Sequence, residues 1–543
     1  MNVSMKNVYI YDTTLRDGTQ GEGISFSSED KLKVAKKLDS LGVAYIEGGW
    51  PGSNPKDLEF FKQASKASFK NAKLTAFGST RRAFCSPADD SNLNFLIESG
   101  AKAIAIFGKT WDFQVIEALR TTLEENLKMI EDSVAYLKSN SLEVIFDAEH
   151  FFDGYKANPE YAIEALKAAE RGGADCLALC DTNGGSLPHE IEDIVAKVKQ
   201  ALTTPIGIHA HNDGELAVAN SIAAVRAGAT QVQGTMNGFG ERCGNANLCS
   251  IIPNLQLKSD YNCIGDNIKY LTEASRYISE IANVVHHSNQ PFVGRSAFTH
   301  KGGMHVSAIL KNAKTYEHIE PETVGNQRRV LMSELAGQSN VLFKAKELGL
   351  DVSKEHPETK TIINEIKELE HQGYQFEAAE ASFELLLRKA FSEVKEIIAL
   401  DSFKLIIEKR GDQKVTSDAI VKLKINGSGT TSITADDGNG PVNALDNALR
   451  KTLEDIYPTL KDVYLTDYKV RVIDEKDGTA AKIRVLIESS DGETNWSTVG
   501  VSENIIDASW QALTDSYRYA LLGKEDEAII DNTQLERKGI LNH

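Results

Sequence analysis

Residues 205–238 read PIGIHAHNDGELAVANSIAAVRAGATQVQGTMNG and contain the unit from which the first half of the chain is built. An apolar run, Pro205–His211, precedes a segment with helical periodicity that ends at Ala227-Gly228, and the run Gln231–Gly238 follows. Glycine directly after a helical segment is typical of a helix C-cap. The stretch therefore predicts a strand, a helix and a second strand.

The same unit recurs throughout the first half of the chain. Apolar runs alternate with amphipathic segments such as Ser28–Leu41 and Leu123–Leu137. Eight such alternations, within about 240 residues, are the count and length of a (β/α)₈ TIM barrel. A doubly wound sheet is the alternative, but it usually has a glycine-rich phosphate turn after its first strand, which Thr13–Thr19 does not supply. The runs are Val8–Leu15, Ala44–Gly49, Lys73–Ser79, Ala103–Lys109, Glu143–Glu149, Cys176–Thr182, Pro205–His211 and Gln231–Gly238.

Two further regions follow the predicted barrel. Residues from about 260 to 400 have helical periodicity and predict a connector. Residues from about 401 to 522 contain strand signals followed by one helix, twice, which predicts two βββα repeats in a small α+β domain. We expect an α/β chain with a TIM barrel at 1–275, helical linker subdomains at 276–400 and a small α+β domain at 401–530 that is suited to sensing or assembly rather than to chemistry.

Charge and composition limit the classes of function. The 543 residues carry 60 Lys plus Arg against 78 Asp plus Glu, a formal net charge of −18. Such an acidic chain is a poor partner for nucleic acid or for an anionic membrane surface. No stretch approaches the ~20 apolar residues that span a bilayer, and the six cysteines are too sparse for a disulfide scaffold. We expect a cytoplasmic protein.

Polar residues collect where the predicted strands end, the face at which TIM barrels carry their active sites. His209 and His211 are two residues apart on a strand, so both rings project from the same face, as two ligands of one divalent metal would. Asp17 supplies a carboxylate, and Asn245 supplies an amide oxygen. This donor set suits Zn, Mn or Fe. The alternative for Asp17 is a turn cap or a salt bridge to Arg16.

Two charged residues lie beside the candidate metal ligands. Arg16 carries a forked, permanently charged donor suited to an α-keto acid or a developing alkoxide, although a surface salt bridge is the alternative. Glu149 ends the fifth run and could act as an acid, as a base or as an orienting partner of His150.

Three long motifs carry a family resemblance. Residues 12–20 (DTTLRDGTQ), 209–220 (HAHNDGELAVAN) and 234–245 (GTMNGFGERCGN) resemble the α-isopropylmalate, homocitrate and citramalate synthases. Hydroxymethylglutaryl-CoA lyases are relatives with the same barrel and metal site. Residues 438–445 and 498–506 look like the regulatory dimerisation domain of the synthases, which the lyases lack. The resemblance therefore covers nearly the whole chain and favours a synthase.

The resemblance implies roles for individual residues. It makes Asp17, His209 and His211 ligands of a divalent metal ion (Mn, Mg or Zn), with Asn245 as a further ligand. Arg16 resembles the residue that polarises the keto group, and Thr182 resembles the one that holds the carboxylate of the keto acid. Glu149 and His305 match the pair implicated in deprotonating the acetyl methyl group. Where several relatives have an acidic residue two positions after that histidine, this chain has Ser307, and His300 is a rival base.

The substrates follow from the branch of the family. Residues 46–57 and 294–305 look like the citramalate synthase branch, which implies an acyltransferase that uses pyruvate and acetyl-CoA in isoleucine biosynthesis via 2-oxobutanoate. Isoleucine is the implied feedback effector, and the terminal domain implies a homodimer or larger homo-oligomer. An isopropylmalate or homocitrate synthase using another 2-oxo acid is the alternative. A non-catalytic amino-acid sensor is disfavoured because the candidate catalytic residues are intact.

Overall fold

The computed structural model describes residues 5–331, 338–350, 357–391, 398–425, 431–473 and 481–522. Contacts divide the chain into two compact units. The first unit comprises residues 1–298 with 317–328, and the second comprises residues 299–316 with 329–543. The two units are described separately below.

The first unit is built around a closed barrel of eight parallel strands, all of which lie within described residues 5–298. Strand β1 pairs with both β2 and β8, which closes the barrel. The predicted TIM barrel is therefore confirmed. The strands are β1 Tyr9–Asp12, β2 Tyr45–Gly49, β3 Lys73–Ser79, β4 Ala103–Lys109, β5 Glu143–Glu149, β6 Cys176–Asp181, β7 Ile206–Ala210 and β8 Gln231–Gly234.

Helices connect these strands. Helix α1 begins with a capping box in which Ser27 and Asp30 satisfy each other's backbone N–H groups, and Gly42 ends it in the left-handed conformation. The glycines after α5 and α7 do the same at Gly173 and Gly228, as the sequence predicted. The helices are α1 Ser28–Leu41, α2 Pro55–Ala64, α3 Ser91–Glu98, α4 Leu123–Ser139, α5 Pro159–Gly172, α6 Pro188–Ala201, α7 Ala217–Ala227, α8 Leu248–Lys258 and α9 Leu271–Ile281, with the short helix Phe151–Ala157 after β5.

The core of this unit lies between the barrel and its helices, and its apolar side chains come from both. The strands are buried except at some of their end residues, such as Tyr9 and Lys73, which explains why their apolar runs are nearly continuous in the sequence. The run predicted at Gln231–Gly238 is too long, because β8 ends at Gly234 and Asn237 adopts a left-handed conformation in the turn that follows. That turn carries the chain across the carboxyl end of the barrel.

The second unit contains helices followed by two similar αβ repeats. Each repeat has a three-stranded antiparallel sheet and one helix, and both helices contribute to a shared apolar core. The two predicted βββα repeats are therefore confirmed, and Pro441 stands at the first turn of its helix. The elements are α10 Gly303–Lys311, α11 Gln338–Glu347, α12 Pro357–His371, α13 Glu380–Phe391, β9 Ile398–Glu408, β10 Thr416–Ile425, β11 Thr431–Gly438, α14 Pro441–Ile456, β12 Tyr464–Val472, β13 Ile483–Ser490, β14 Asn495–Ser502 and α15 Ile505–Ala520.

The predicted connector is helical only in part. Helices α9 to α13 alternate with irregular segments and with a short parallel pairing of Thr299–His300 with Arg329–Val330. The domain boundaries at 275 and 400 stay predictions, and the predicted end at 530 lies outside the described residues. Across the described ranges, no helix is long and apolar enough to span a membrane.

Candidate active site

An open cavity of about 290 Å³ lies at the carboxyl end of the barrel strands. It brings together six residues that the sequence predicted for the site, each from the end of a strand or from the loop that follows. Because the carboxyl ends of parallel strands meet at one face, residues far apart in the sequence converge here. The six residues are Arg16, Asp17, Glu149, Thr182, His209 and His211.

Three of these side chains form a compact donor group. The Nε2 atoms of His209 and His211 are 3.3 Å apart, and Nε2 of His209 is 3.2 Å from Oδ2 of Asp17. Within the described part of the chain, this is the group of His, Cys, Asp and Glu side chains with the spacing of a metal site. Ligands at about 2.1 Å from one ion, at tetrahedral or octahedral angles, stand about 3.0–3.5 Å from each other. The two measured distances therefore fit a shared divalent cation.

The electrostatics of the donor group also favour a cation. Burial by itself lowers the pKa of His209, but the Asp17 carboxylate outweighs it and raises that pKa above its usual value. Burial, together with His209, lowers the pKa of His211 to about 3, so this imidazole is neutral and can act as a ligand. Although burial opposes ionisation of Asp17, Arg16 and His209 hold the pKa of its carboxyl well below the usual range. The site thus combines the ionised carboxylate of Asp17 with the neutral imidazole of His211.

Asn245 lies beside this group but presents its amino end to it. Nδ2 of Asn245 donates to Oδ2 of Asp17 at 2.9 Å and lies 3.2 Å from Nε2 of His209. Its Oδ1 is buried and has no hydrogen-bond partner among the described residues. Rotating the amide by 180° would direct that oxygen at the donor group, which is the orientation that a metal ligand needs. The assignment of Asn245 as a ligand stays a prediction.

Arg16 is held in place by three neighbours. Its Nε donates to Oε2 of Glu47 at 2.6 Å, its Nη1 lies 3.0 Å from Oδ1 of Asp17, and its guanidinium stacks on the Phe77 ring at 3.7 Å. Burial opposes the charge, but Asp17 and Glu47 raise the pKa of Arg16 above its usual value. Glu47 is fully buried in β2 and also accepts hydrogen bonds from Tyr11 and Thr13. A fixed, forked positive charge therefore faces the cavity next to the candidate donor group.

Glu149 and Thr182 lie on the opposite side of the donor group, at the ends of β5 and β6. The carboxylate of Glu149 forms an ion pair with Nζ of Lys109, a residue that the sequence did not point to. Oγ1 of Thr182 accepts a hydrogen bond from the backbone N–H of His150 at 2.9 Å. The acid-base role expected of Glu149 would therefore operate beside an ammonium group.

His305 belongs to the second unit. It lies in α10, where its ring packs against Tyr316 with ring centroids 4.2 Å apart, and its side chain is exposed. Its role as a base stays a prediction, as does that of the rival His300 in the short strand Thr299–His300.

Several residues of the cavity could not be singled out in the sequence. Trp50, Phe77 and Phe107 form an aromatic wall in which the rings contact each other with centroids 5.6–5.9 Å apart. Asp147 also lines the cavity. A useful signal was available for Asp147 and Glu47, because each is a carboxylate inside an otherwise apolar strand, and a buried charge needs partners. The aromatic residues carried no such signal, since in a strand they are typical of core packing.

A buried carboxyl near the site supports a prediction of pH-dependent stability. Burial raises the pKa of Asp12 to about 7, while its oxygens accept hydrogen bonds from the N–H and hydroxyl of Thr14. An unfolded Asp titrates at pH ~3.9. As pH rises from about 4 through 7, the unfolded state releases this proton before the native state does, so the contribution of Asp12 to stability falls. We expect the unfolding free energy of Asp12→Asn minus that of wild type to be about 2 kcal/mol larger at pH 8 than at pH 5.

Urea unfolding of both proteins at the two pH values measures this difference. Subtracting the wild-type value at each pH cancels the titration of Asp147, whose pKa burial also raises to about 7. An equal effect of the substitution at pH 5 and pH 8 would contradict the interpretation.

Three family models match consecutive parts of the chain. The model described as HMGL-like matches residues 7–278, the one described as homocitrate synthase post-HMGL domain-like matches residues 292–374, and the one described as LeuA allosteric (dimerisation) domain matches residues 377–521. Together they extend from the barrel to the end of the second βββα repeat.

Relatives match along nearly their whole length. The (R)-citramalate synthase of Aquifex aeolicus is 58% identical over 528 residues, covering 97% of this chain and 100% of that protein. The (R)-citramalate synthase of Geobacter sulfurreducens is 57% identical, covering 96% of this chain and 99% of that protein. A probable 2-isopropylmalate synthase of Methanopyrus kandleri is 34% identical, covering 93% of this chain and 96% of that protein.

Proposed function

Because the chain belongs to the family of (R)-citramalate synthases and related HMGL-like enzymes, we propose that it condenses acetyl-CoA with pyruvate and hydrolyses the thioester to give (R)-citramalate and CoA. The chain is an acyltransferase in which the acyl group becomes an alkyl group on transfer. One structural observation carries the proposal: Arg16 and the Asp17, His209 and His211 group face the same cavity. These are the groups needed to bind and polarise a 2-oxo acid.

The keto acid would bind between Arg16, Thr182 and the donor group. A divalent cation held by Asp17, His209 and His211 would supply Lewis-acid polarisation of a carbonyl. The guanidinium of Arg16 would bind the keto oxygen and stabilise the negative charge that develops on it, since its forked donors are already fixed by Glu47. The hydroxyl of Thr182 would bind the carboxylate of the acid.

Carbon–carbon bond formation requires a base and then water. Glu149 and His305 would remove a proton from the acetyl methyl group of the thioester. The resulting enolate carbon attacks C2 of the keto acid, and the keto oxygen becomes the tertiary hydroxyl. Water then cleaves the thioester and releases CoA with a free thiol. Lys109, through its ion pair with Glu149, would keep the carboxylate oriented towards the cavity.

The aromatic wall supports pyruvate over a larger acid. Trp50, Phe77 and Phe107 fill the side of the cavity next to Arg16, and Arg16 itself stacks on Phe77. A methyl group fits against such a wall with less displacement than an isopropyl group. The isopropylmalate and homocitrate synthases remain the alternative, because they combine the same donor group with a different side-chain pocket.

A thiol-release assay with acetyl-CoA tests the choice of keto acid. We compare pyruvate, 2-oxobutyrate, 2-oxoisovalerate and 2-oxoglutarate, and expect kcat/KM for pyruvate to exceed that for 2-oxoisovalerate by at least about tenfold, since each methylene in an apolar pocket is worth about 10-fold or more. Phe107→Ala should reduce that ratio by enlarging the pocket. Phe95→Ala, on α3 and outside the cavity, is the matched control. A wild-type preference for the bulkier acids would exclude citramalate as the product.

Regulation and assembly are assigned to the second unit. We propose that isoleucine is the feedback effector, because the proposed product leads to isoleucine via 2-oxobutanoate and the repeats match an allosteric domain. Calorimetric titration of the full chain with isoleucine tests this assignment. Exposed Ile406, Ile420 and Ile433 lie on the same face of the first sheet and support a homodimer through this domain.

The cellular location is also a proposal. All six cysteines lie within the described residues and are free thiols, which suits a reducing cytoplasm.

A further inference from the structure

A chain of buried polar side chains lies behind His209, on the side away from the donor group. Nδ1 of His209 is 2.8 Å from Oε1 of Gln233, and Nε2 of Gln233 donates to Oδ1 of Asp147 at 2.9 Å. Gln233 is fully buried in β8, so it cannot reach a substrate in the cavity. Its contact with the donor group is made through His209.

The partners of Gln233 fix the direction of its amide. An amide has a donating NH₂ end and an accepting oxygen end. The NH₂ end faces two acceptors, Oδ1 of Asp147 at 2.9 Å and Oε1 of Gln231 at 3.3 Å. The oxygen end therefore faces His209, and a favourable contact there requires an N–H on Nδ1 of the imidazole.

The tautomer of His209 follows from this contact. A neutral imidazole carries one N–H, so a proton on Nδ1 leaves the lone pair on Nε2. Nε2 is the atom that faces Asp17, His211 and Asn245, at 3.2 Å, 3.3 Å and 3.2 Å. The lone pair is thus directed to the point where a shared cation would lie.

We propose that Gln233 is a positioning residue for the metal site: it holds the His209 ring in the tautomer and orientation that present Nε2 as a ligand, and Asp147 sets the direction of the Gln233 amide. This inference rests on the proposed metal site and deepens it. Hydrogen bonds of this kind to the second nitrogen of a ligating histidine orient the ring, and their loss typically weakens metal binding about 10–100-fold.

The experiment measures Mn²⁺ binding by the full-length, metal-stripped protein, using electron paramagnetic resonance of the free ion. Gln233→Leu removes the acceptor while keeping a similar volume, and we expect its dissociation constant for Mn²⁺ to rise about 10–100-fold. Gln290→Leu is the matched control, because Gln290 is the same residue type and is 7% exposed, and its amide donates to Oδ1 of Asn237 at 3.1 Å, outside the chain of His209, Gln233 and Asp147. Its affinity should stay within about twofold of wild type.

A double variant tests the direction of the hydrogen bonds and guards against a fold defect in Gln233→Leu. Gln233→Glu combined with Asp147→Asn conserves the net charge and reverses the direction of the hydrogen bond between positions 233 and 147. The amide introduced at position 147 can then donate to the carboxylate introduced at position 233, whose other oxygen still accepts from Nδ1 of His209. We expect this protein to bind Mn²⁺ within about fourfold of wild type.

The outcomes separate this inference from the function on which it rests. If wild type binds no Mn²⁺, the proposed metal site is wrong. If wild type binds the ion and Gln233→Leu binds it equally tightly, the metal site stands and the role of Gln233 is wrong. Equal losses in Gln290→Leu and Gln233→Leu, or a double variant no better than Gln233→Leu, would also overturn that role.

Discussion

His209→Ala is expected to leave a folded protein that no longer retains a divalent metal ion and that turns over about 10³-fold more slowly. The imidazole supplies the central donor of the group, since its Nε2 lies within 3.3 Å of both Asp17 and His211. Lewis-acid polarisation is worth several kcal/mol, and each 1.36 kcal/mol is about tenfold in rate. Metal content after gel filtration, measured by mass spectrometry, and kcat from thiol release check the two effects.

A second histidine provides the control for this experiment. His189 lies on α6, is exposed and is not among the residues that line the cavity. His189→Ala should keep both the metal and the turnover of wild type. Full metal content in His209→Ala would show that His209 is not a ligand. It would then contradict the proposed donor group of Asp17, His209 and His211.

Arg16→Lys is expected to lower kcat by about 10²–10³ while the protein keeps its fold and its metal. Lysine preserves the charge but offers a single ammonium group. The guanidinium of Arg16 contacts Glu47 and Asp17 and stacks its planar face on the Phe77 ring. A single ammonium group cannot make these three contacts together. Loss of one well-placed donor to a developing oxyanion costs about 10²–10³ in turnover.

The comparison with Arg16→Gln separates charge from geometry. Arg16→Gln loses both the charge and the forked geometry, so its kcat should be no higher than that of Arg16→Lys. Arg226→Lys is the control, because Arg226 lies exposed at the end of α7. Wild-type turnover in Arg16→Lys would show that the forked geometry has no part in the reaction. Steady-state kinetics at saturating pyruvate and acetyl-CoA measure the effect on kcat.

The barrel could be predicted closely from the sequence because its strands are buried on both faces and therefore appear as continuous apolar runs. Lys73–Ser79, Ala103–Lys109 and Glu143–Glu149 have the predicted bounds. The first strand of each βββα repeat could not be located in the same way. Strand β12 is exposed along most of its length, so its sequence contains no continuous apolar run of the kind that marks the barrel strands.

The candidate site was predictable where its residues end a strand, and not where they lie within one. Asp17, His209 and His211 interrupt apolar sequence with polar motifs. Gln233 and Asp147 are single polar residues within strands, and their hydrogen bond joins residues 86 positions apart. Only the closed barrel brings the side chains of β5 and β8 together in its interior, so no local pattern could have paired them.

The position of the donor group has a consequence for the order of events during synthesis. Asp17 follows β1, the two histidines belong to the end of β7, and Asn245 follows β8, which pairs with β1 to close the barrel. The emerging polypeptide therefore has no complete metal site until nearly half of it has left the ribosome. A cation held by Asp17, His209 and His211 would bind only once these residues have come together, and it would link the loop after β1 to the end of β7 across the closure of the barrel. Metal depletion should thus loosen the barrel first at this seam.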